Sequence, residues 1–120
     1  IELKTERLTL RQVTEADLEG LMPINGDPEV TSFLPYAAWR DSEDASAWYQ
    51  RMVNLSRETG AMQLVLVHTT RQVIVGTLLA FKFDEASKRV ELGYVIGRTH
   101  WRQGFASEAL RAILGHLFAE

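Results

Sequence analysis

The chain has no cysteine among its 120 residues. Disulfides, thiolate metal sites and a cysteine nucleophile are therefore excluded, and a reducing cytoplasm is the expected location. No apolar run approaches the ~20 residues that a membrane-spanning helix needs. Thirteen Lys and Arg face sixteen Asp and Glu, a net charge of −3, so no global basic field draws nucleic acid or an anionic membrane. His68, His100 and His116 lie far apart with no H-x-x-x-H spacing, which argues against a metal site. There is no G-x-G-x-x-G, no Walker lysine, no repeat and no low-complexity segment. What remains is an ordinary globular composition, 46% apolar and 24% charged, and a length suited to one domain with one core.

The most informative stretch runs from Val90 to Leu110, VELGYVIGRTHWRQGFASEAL. A strand-like segment leads into a loop containing Gly104, and the loop opens into an amphipathic helix. The first N–H groups of a helix lack internal partners, the helix dipole adds positive character there, and a glycine lets an anion approach the main chain. This order predicts a site for a phosphorylated cofactor. An ordinary tight strand-to-helix turn has the same pattern.

Alternation of Leu8 and Leu10 with polar neighbours predicts a first strand over 7–13. Thr14 and Asp17 resemble a capping box, followed by a helix with Leu18, Leu21 and Met22 on one face. Pro23 and the Asn25-Gly26-Asp27-Pro28 cluster should kink or end it. Residues 30–40 read as irregular. Asp41 or Ser42 caps a second helix, whose stripe of Ala45, Trp48, Tyr49, Met52 and Val53 runs toward a stop near Gly60. Segments 61–68 and 73–83 form an antiparallel hairpin, a turn over 84–89 leads to a strand over 90–97, and a last helix carries apolar residues at 106, 109, 110, 113, 114, 117 and 118. Three consecutive strands on short turns do not fit a doubly wound parallel sheet. The chain opens at Ile1 without an initiator Met and stops at Glu120 straight after the helical pattern. A longer protein, with this segment C-terminally truncated, is the expectation.

Four segments, ERLTLR (6–11), GDPEVTSFLP (26–35), ELGYVIG (91–97) and HWRQGFASEAL (100–110), resemble the GCN5-related N-acetyltransferase (GNAT) superfamily, in its ribosomal-protein N-acetyltransferase (RimJ/RimL-like) branch. The resemblance implies an α/β fold of the α+β type. Its sheet is mixed but mostly antiparallel and flanked by helices, in the order β-α-α-β-β-β-α, without the C-terminal strand, helix and hairpin of complete relatives. One N-acetyltransferase domain over 1–120 is expected. The usual loop pattern, Arg/Gln-x-x-Gly-x-Gly/Ala, is met by Trp101 to Ala106. Trp101 replaces the Arg or Gln, and Arg102 stands where a second glycine is common.

The resemblance also implies a chemistry: transfer of an acetyl group from acetyl-CoA to a primary amine, a protein N-terminus or a small molecule, by direct attack in a ternary complex. The N–H groups of Gln103, Gly104, Phe105 and Ala106 would cradle the pyrophosphate, with Arg102 and the Ser107 hydroxyl adding contacts. Tyr94, Val95 and Ile96 would pair with the pantetheine arm, and a strand N–H would polarise the thioester carbonyl. Glu91 is the candidate base. A solvated charge paired with Arg89 or Lys88 is the plain alternative for it. Glu108, in the first turn of the last helix, suits the helix dipole without any catalytic role. Phe33, Tyr36 and Trp39 are candidate acceptor walls, and equally candidate caps on a core edge. No residue here takes the general-acid role that relatives give to a tyrosine further along. A non-catalytic acyl-CoA-binding or sensor module is the rival reading. An uncovered strand edge would invite a homodimer.

Overall fold

A computed structural model describes residues 2–32, 34–84 and 86–118. Its strands are β1 (Glu2–Lys4), β2 (Leu8–Gln12), β3 (Met62–His68), β4 (Val73–Asp84) and β5 (Arg89–Ile96). They form one sheet in the order β1-β2-β3-β4-β5, and every pairing among the described residues is antiparallel rather than mixed. The helices are α1 (Leu18–Asn25), α2 (Pro28–Thr31), α3 (Ser42–Thr59) and α4 (Phe105–Leu117).

The expected order gains two elements. β1 is three residues long with one apolar side chain, Leu3. No local pattern announces it, and it exists because it can pair with β2, Leu3 opposite Leu10. The short helix α2 falls partly in the segment read as irregular. The Asp27 side chain accepts the Glu29 N–H at 3.0 Å, and Pro28 sits in its first turn, where a missing N–H costs nothing. Pro23 does not end α1, which runs on to Asn25. The residue whose carbonyl loses its donor, Glu19, is exposed, so water can take the bond's place. The longer α3 obeys its caps: Asp41 accepts from the N–H groups of Glu43 and Asp44, and Gly60 closes the helix at φ +77°.

Strand alternation sends side chains to two cores. One face of the sheet, with Leu8, Leu10, Leu64, Leu66 and Leu78, packs against Phe105, Ala109 and Ile113 of α4. The other, with Val65 and Val67, packs against Leu18, Leu21 and Ile24 of α1 and Ala45 and Trp48 of α3. Trp39 belongs to this second core. It is 5% exposed, and its ring lies 5.3 Å from that of Trp48.

Candidate functional site

β5 is the last strand of the described sheet, so one side of its backbone has no strand beside it among the described residues. Which groups face that side follows from the register. Gly97 donates its N–H to Val75 O at 2.8 Å, and Ile96, Tyr94 and Leu92 stand opposite Gly76, Leu78 and Ala80. In an antiparallel pair, alternate residues turn both N–H and C=O toward the partner. Val95, Gly93 and Glu91 therefore face β4. Ile96, Tyr94 and Leu92 turn their backbone groups outward. The indole N–H of Trp101 confirms the direction by donating to Ile96 O at 2.7 Å. Of the three residues expected along this rail, Tyr94 and Ile96 offer backbone groups, and Val95 offers only its side chain.

Beyond β5 the chain makes a single 3-10 turn, Arg98–His100, and then two left-handed residues, Arg102 at φ +63° and Gly104 at φ +80°. The left-handed backbone at 102 is the physical reason that a glycine suits this position. Arginine there carries a strain of about 1–2 kcal/mol. Gly104 is the N-cap of α4 and brings no side-chain oxygen to its end. The first helical bond runs from Glu108 N–H to Gly104 O at 3.0 Å. The N–H groups of Phe105, Ala106 and Ser107 precede it and point out of the helix end.

The outward edge and the helix end meet in a cleft of about 630 Å³. Val30 and Leu34, the β5 residues Tyr94, Val95 and Ile96, and His100, Trp101, Arg102 and Gly104 to Ser107 line it. Among the described residues that line it, Arg102 alone carries a formal charge and none is a carboxylate. Burial, then the charges of Arg71 and His68, hold the His100 imidazole below its ordinary pKa, so it is neutral at neutral pH. The lining is thus apolar along the strand and positively charged at the loop, which fits a long ligand with an anionic end. Of the residues expected to hold a cofactor, Gln103 alone does not line the cleft; its side chain donates to Thr99 O at 3.1 Å. Val30, Leu34 and Trp101 are additions. Apolar residues in a loop, or in a helix as short as α2, gave no sign of which face they would serve.

Glu91 lies elsewhere. Its carboxylate is 3.5 Å from Lys82 Nζ and 57% exposed, beside a separate cleft of about 450 Å³ that Leu114 and Phe118 also line. Tyr36 and Trp39 border a smaller cleft of about 310 Å³ with Arg40 and Arg51. The Tyr36 hydroxyl donates to Asn25 Oδ1 at 3.3 Å, and burial raises its pKa above the usual value. Phe33 lies outside the described residues.

With this geometry in view, the chain matches the family described as acetyltransferase (GNAT) domain over residues 7–120, and it belongs to that family. It is similar to the N-acetyltransferase p20 of Bacillus licheniformis, itself uncharacterised, with 34% identity over 97% of this chain and 65% of that protein. The chain thus spans about two thirds of the length of this curated relative. Among solved structures it is similar to a GNAT-family acetyltransferase from Bacillus anthracis, with a TM-score of 0.79 and 25% identity over 98% of this chain and 66% of that one. A Vibrio cholerae protein provisionally named a ribosomal-protein-serine acetyltransferase gives a TM-score of 0.78 and 25% identity, over 98% and 67%.

Proposed function

We propose that this chain is a single N-acetyltransferase domain that binds acetyl-CoA and passes its acetyl group to a primary amine by direct attack in a ternary complex. The observation that carries this reading is the cleft, where the outward backbone edge of β5 runs into the uncapped N-terminus of α4. Along the edge, Tyr94 and Ile96 pair with the amide arm of the cofactor, and Val95 packs against it. At the loop, the N–H groups of Gly104, Phe105 and Ala106, with that of Gln103, receive the pyrophosphate, and Arg102 and the Ser107 hydroxyl add charge-assisted bonds. An outward N–H of β5, at Leu92 or Tyr94, polarises the thioester carbonyl as the amine nitrogen attacks it and the carbon–sulfur bond breaks. Positioning and this polarisation supply most of the rate.

Glu91 is the proposed base. Its support is its place in the strand, next to the outward N–H of Leu92. The acceptor is an amine, either a protein N-terminus, as the RimJ/RimL-like resemblance implies, or a small molecule entering past Tyr36. The proposed setting is cytoplasmic, and a homodimer would have to leave the outward edge of β5 free for the cofactor.

The position of Glu91 outside the cleft, paired with Lys82, favours a second reading: a non-catalytic acyl-CoA-binding module. Calorimetric titration with acetyl-CoA, followed by thiol-release assays against a panel of amines, tests both. An enzyme binds and turns over, and Glu91→Gln lowers kcat by about 10²–10⁴-fold while affinity is kept. A binding module shows affinity and no turnover. No affinity at all removes both readings.

A further inference from the structure

The first turn of α4 is held from outside the helix. Glu108, whose side chain is 13% exposed, turns away from the cleft and takes three donors from the turn between β1 and β2. Its Oε2 accepts from the Thr5 hydroxyl and from the Arg7 backbone N–H at 2.9 Å, and its Oε1 accepts from Arg7 Nε at 2.8 Å. The Arg7 guanidinium then lies over the Phe105 ring, 4.3 Å from its centroid, and its Nη2 stands 3.4 Å from where a Cβ on Gly104 would be. The turn itself is rigidly placed. Leu8 N–H donates to Thr5 Oγ1 at 2.9 Å, Thr5 N–H to Leu8 O at 2.8 Å, and Thr69 N–H to Arg7 O at 2.8 Å. Burial pushes the Glu108 carboxyl up, but the hydrogen bonds from Thr5 and Arg7 and the guanidinium charge outweigh it and hold the group ionised, below its ordinary pKa.

A carboxylate one turn into a helix whose N-terminus receives an anion is a local contradiction. It steadies the helix dipole, but left unpaired it repels the anion. We infer that Arg7 is a positioning residue for the cofactor's phosphate end, acting through Glu108 and Phe105. It neutralises the carboxylate beside the anion site and locks residues 104–108 in the geometry that aims their N–H groups into the cleft. The inference rests on the acetyl-CoA reading above and adds to it a residue some hundred positions away in sequence.

The test compares two donors, acetyl-CoA and S-acetylpantetheine, which lacks the pyrophosphate. Arg7→Met should raise the KM and Kd for acetyl-CoA about tenfold or more, with kcat about unchanged and with kcat/KM for S-acetylpantetheine about unchanged. Arg7→Lys, which keeps the charge, should recover part of the loss. In Arg7→Met/Glu108→Gln, removal of the unpaired carboxylate should recover part as well. Equal losses with both donors would mean a general structural defect and would overturn the inference, as would an unchanged KM. If Arg7→Met does not fold, Thr5→Val removes one donor from Glu108 and should raise the acetyl-CoA KM several-fold in the same selective way; no selective change there overturns the inference. A wild-type chain without affinity for acetyl-CoA overturns the functional reading and this inference together. A wild-type chain that binds while the variants match it overturns the inference alone.

Discussion

The indole Nε1 of Trp101 donates to the carbonyl oxygen of Ile96 at 2.7 Å and so ties the loop before α4 to the outward edge of β5. Trp101 is 39% exposed and lines the cleft, whereas Trp39 and Trp48 are 5% and 3% exposed in the core under α1 and α3. Trp101→Phe removes the donor and leaves the Ile96 carbonyl to water, at a cost of about 0.5–1.5 kcal/mol in stability. Intrinsic fluorescence should change when acetyl-CoA binds the wild-type chain. In the variant that change should vanish, while calorimetry still detects binding weakened about three- to tenfold. A ligand-induced signal of full size in Trp101→Phe would place the cofactor away from this residue.

The two left-handed residues of the loop should respond in opposite directions. Gly104→Val forces a β-branched side chain into φ +80° and toward Arg7 Nη2, costing about 1–2 kcal/mol and lowering acetyl-CoA affinity at least about tenfold. Arg102→Gly relieves strain at φ +63° and should raise the urea midpoint, by about 1 kcal/mol of stability, while losing affinity through the missing charge. Paired urea melts and titrations check both. A destabilised Arg102→Gly would show that the arginine side chain contributes more to the fold than its backbone costs.

Gly76 faces the β5 backbone so closely that a Cβ there would stand 2.0 Å from Val95 O. No rotamer relieves such a clash, since both partners are sheet backbone. Gly76→Ala should cost about 3 kcal/mol or more and loosen the β4–β5 pairing that aims Tyr94 and Ile96 outward. Amide exchange in β5 should speed up more than in β2 or β3.

Acid should weaken the fold through three named groups. Burial raises the Asp17 carboxyl, but the bidentate hydrogen bonds from Arg11, 2.8 Å each, with the bond from the Thr14 N–H, bring it below its usual value. Glu108 is lowered likewise by Thr5 and Arg7. For a carboxyl whose folded pKa is depressed, the stabilisation is complete above the unfolded values of about 3.9 and 4.3 and is lost as pH falls through the folded values. His100, also lowered, acts earlier. Below about pH 6.5 the unfolded chain takes up a proton that the folded chain resists, so stability falls. Urea midpoints should therefore decline gently from pH 7 to 5 and more steeply below pH 4.5. Asp17→Asn should flatten the lower limb, and His100→Phe the upper one; an unchanged lower limb in Asp17→Asn would remove Asp17 from this account.

Elements that declare themselves through local physics were legible in the sequence. Asp41, one of the two cap candidates read beside Ser42, and the stop at Gly60 bound α3. The apolar spacing of α4 matches the packed face at Ala106, Ala109, Leu110, Ile113 and Leu117, but Leu114 and Phe118, read as part of that face, are 39% and 40% exposed. Residues 94–96 and the loop through Gly104 come together in one cleft because they adjoin in the chain. Other features had no local signature. Trp39 reads equally as an acceptor wall or a core residue until α3 brings Trp48 against it. Glu91 sits in a strand whose alternation fixes a face but not a neighbour. Lys82 becomes that neighbour through an irregularity in the β4–β5 pairing between Phe81 and Asp84.

The sequence by itself determined the caps, the strand and helix periods, and the helix end fit to receive an anion, because each depends on residues within a turn or two of one another. The tertiary structure alone decided which backbone groups of β5 face outward, that Arg7 reaches Glu108, and that Glu91 lies apart from the cleft. Those relationships are set by sheet register and by the packing of distant segments, and nothing local in the chain encodes either.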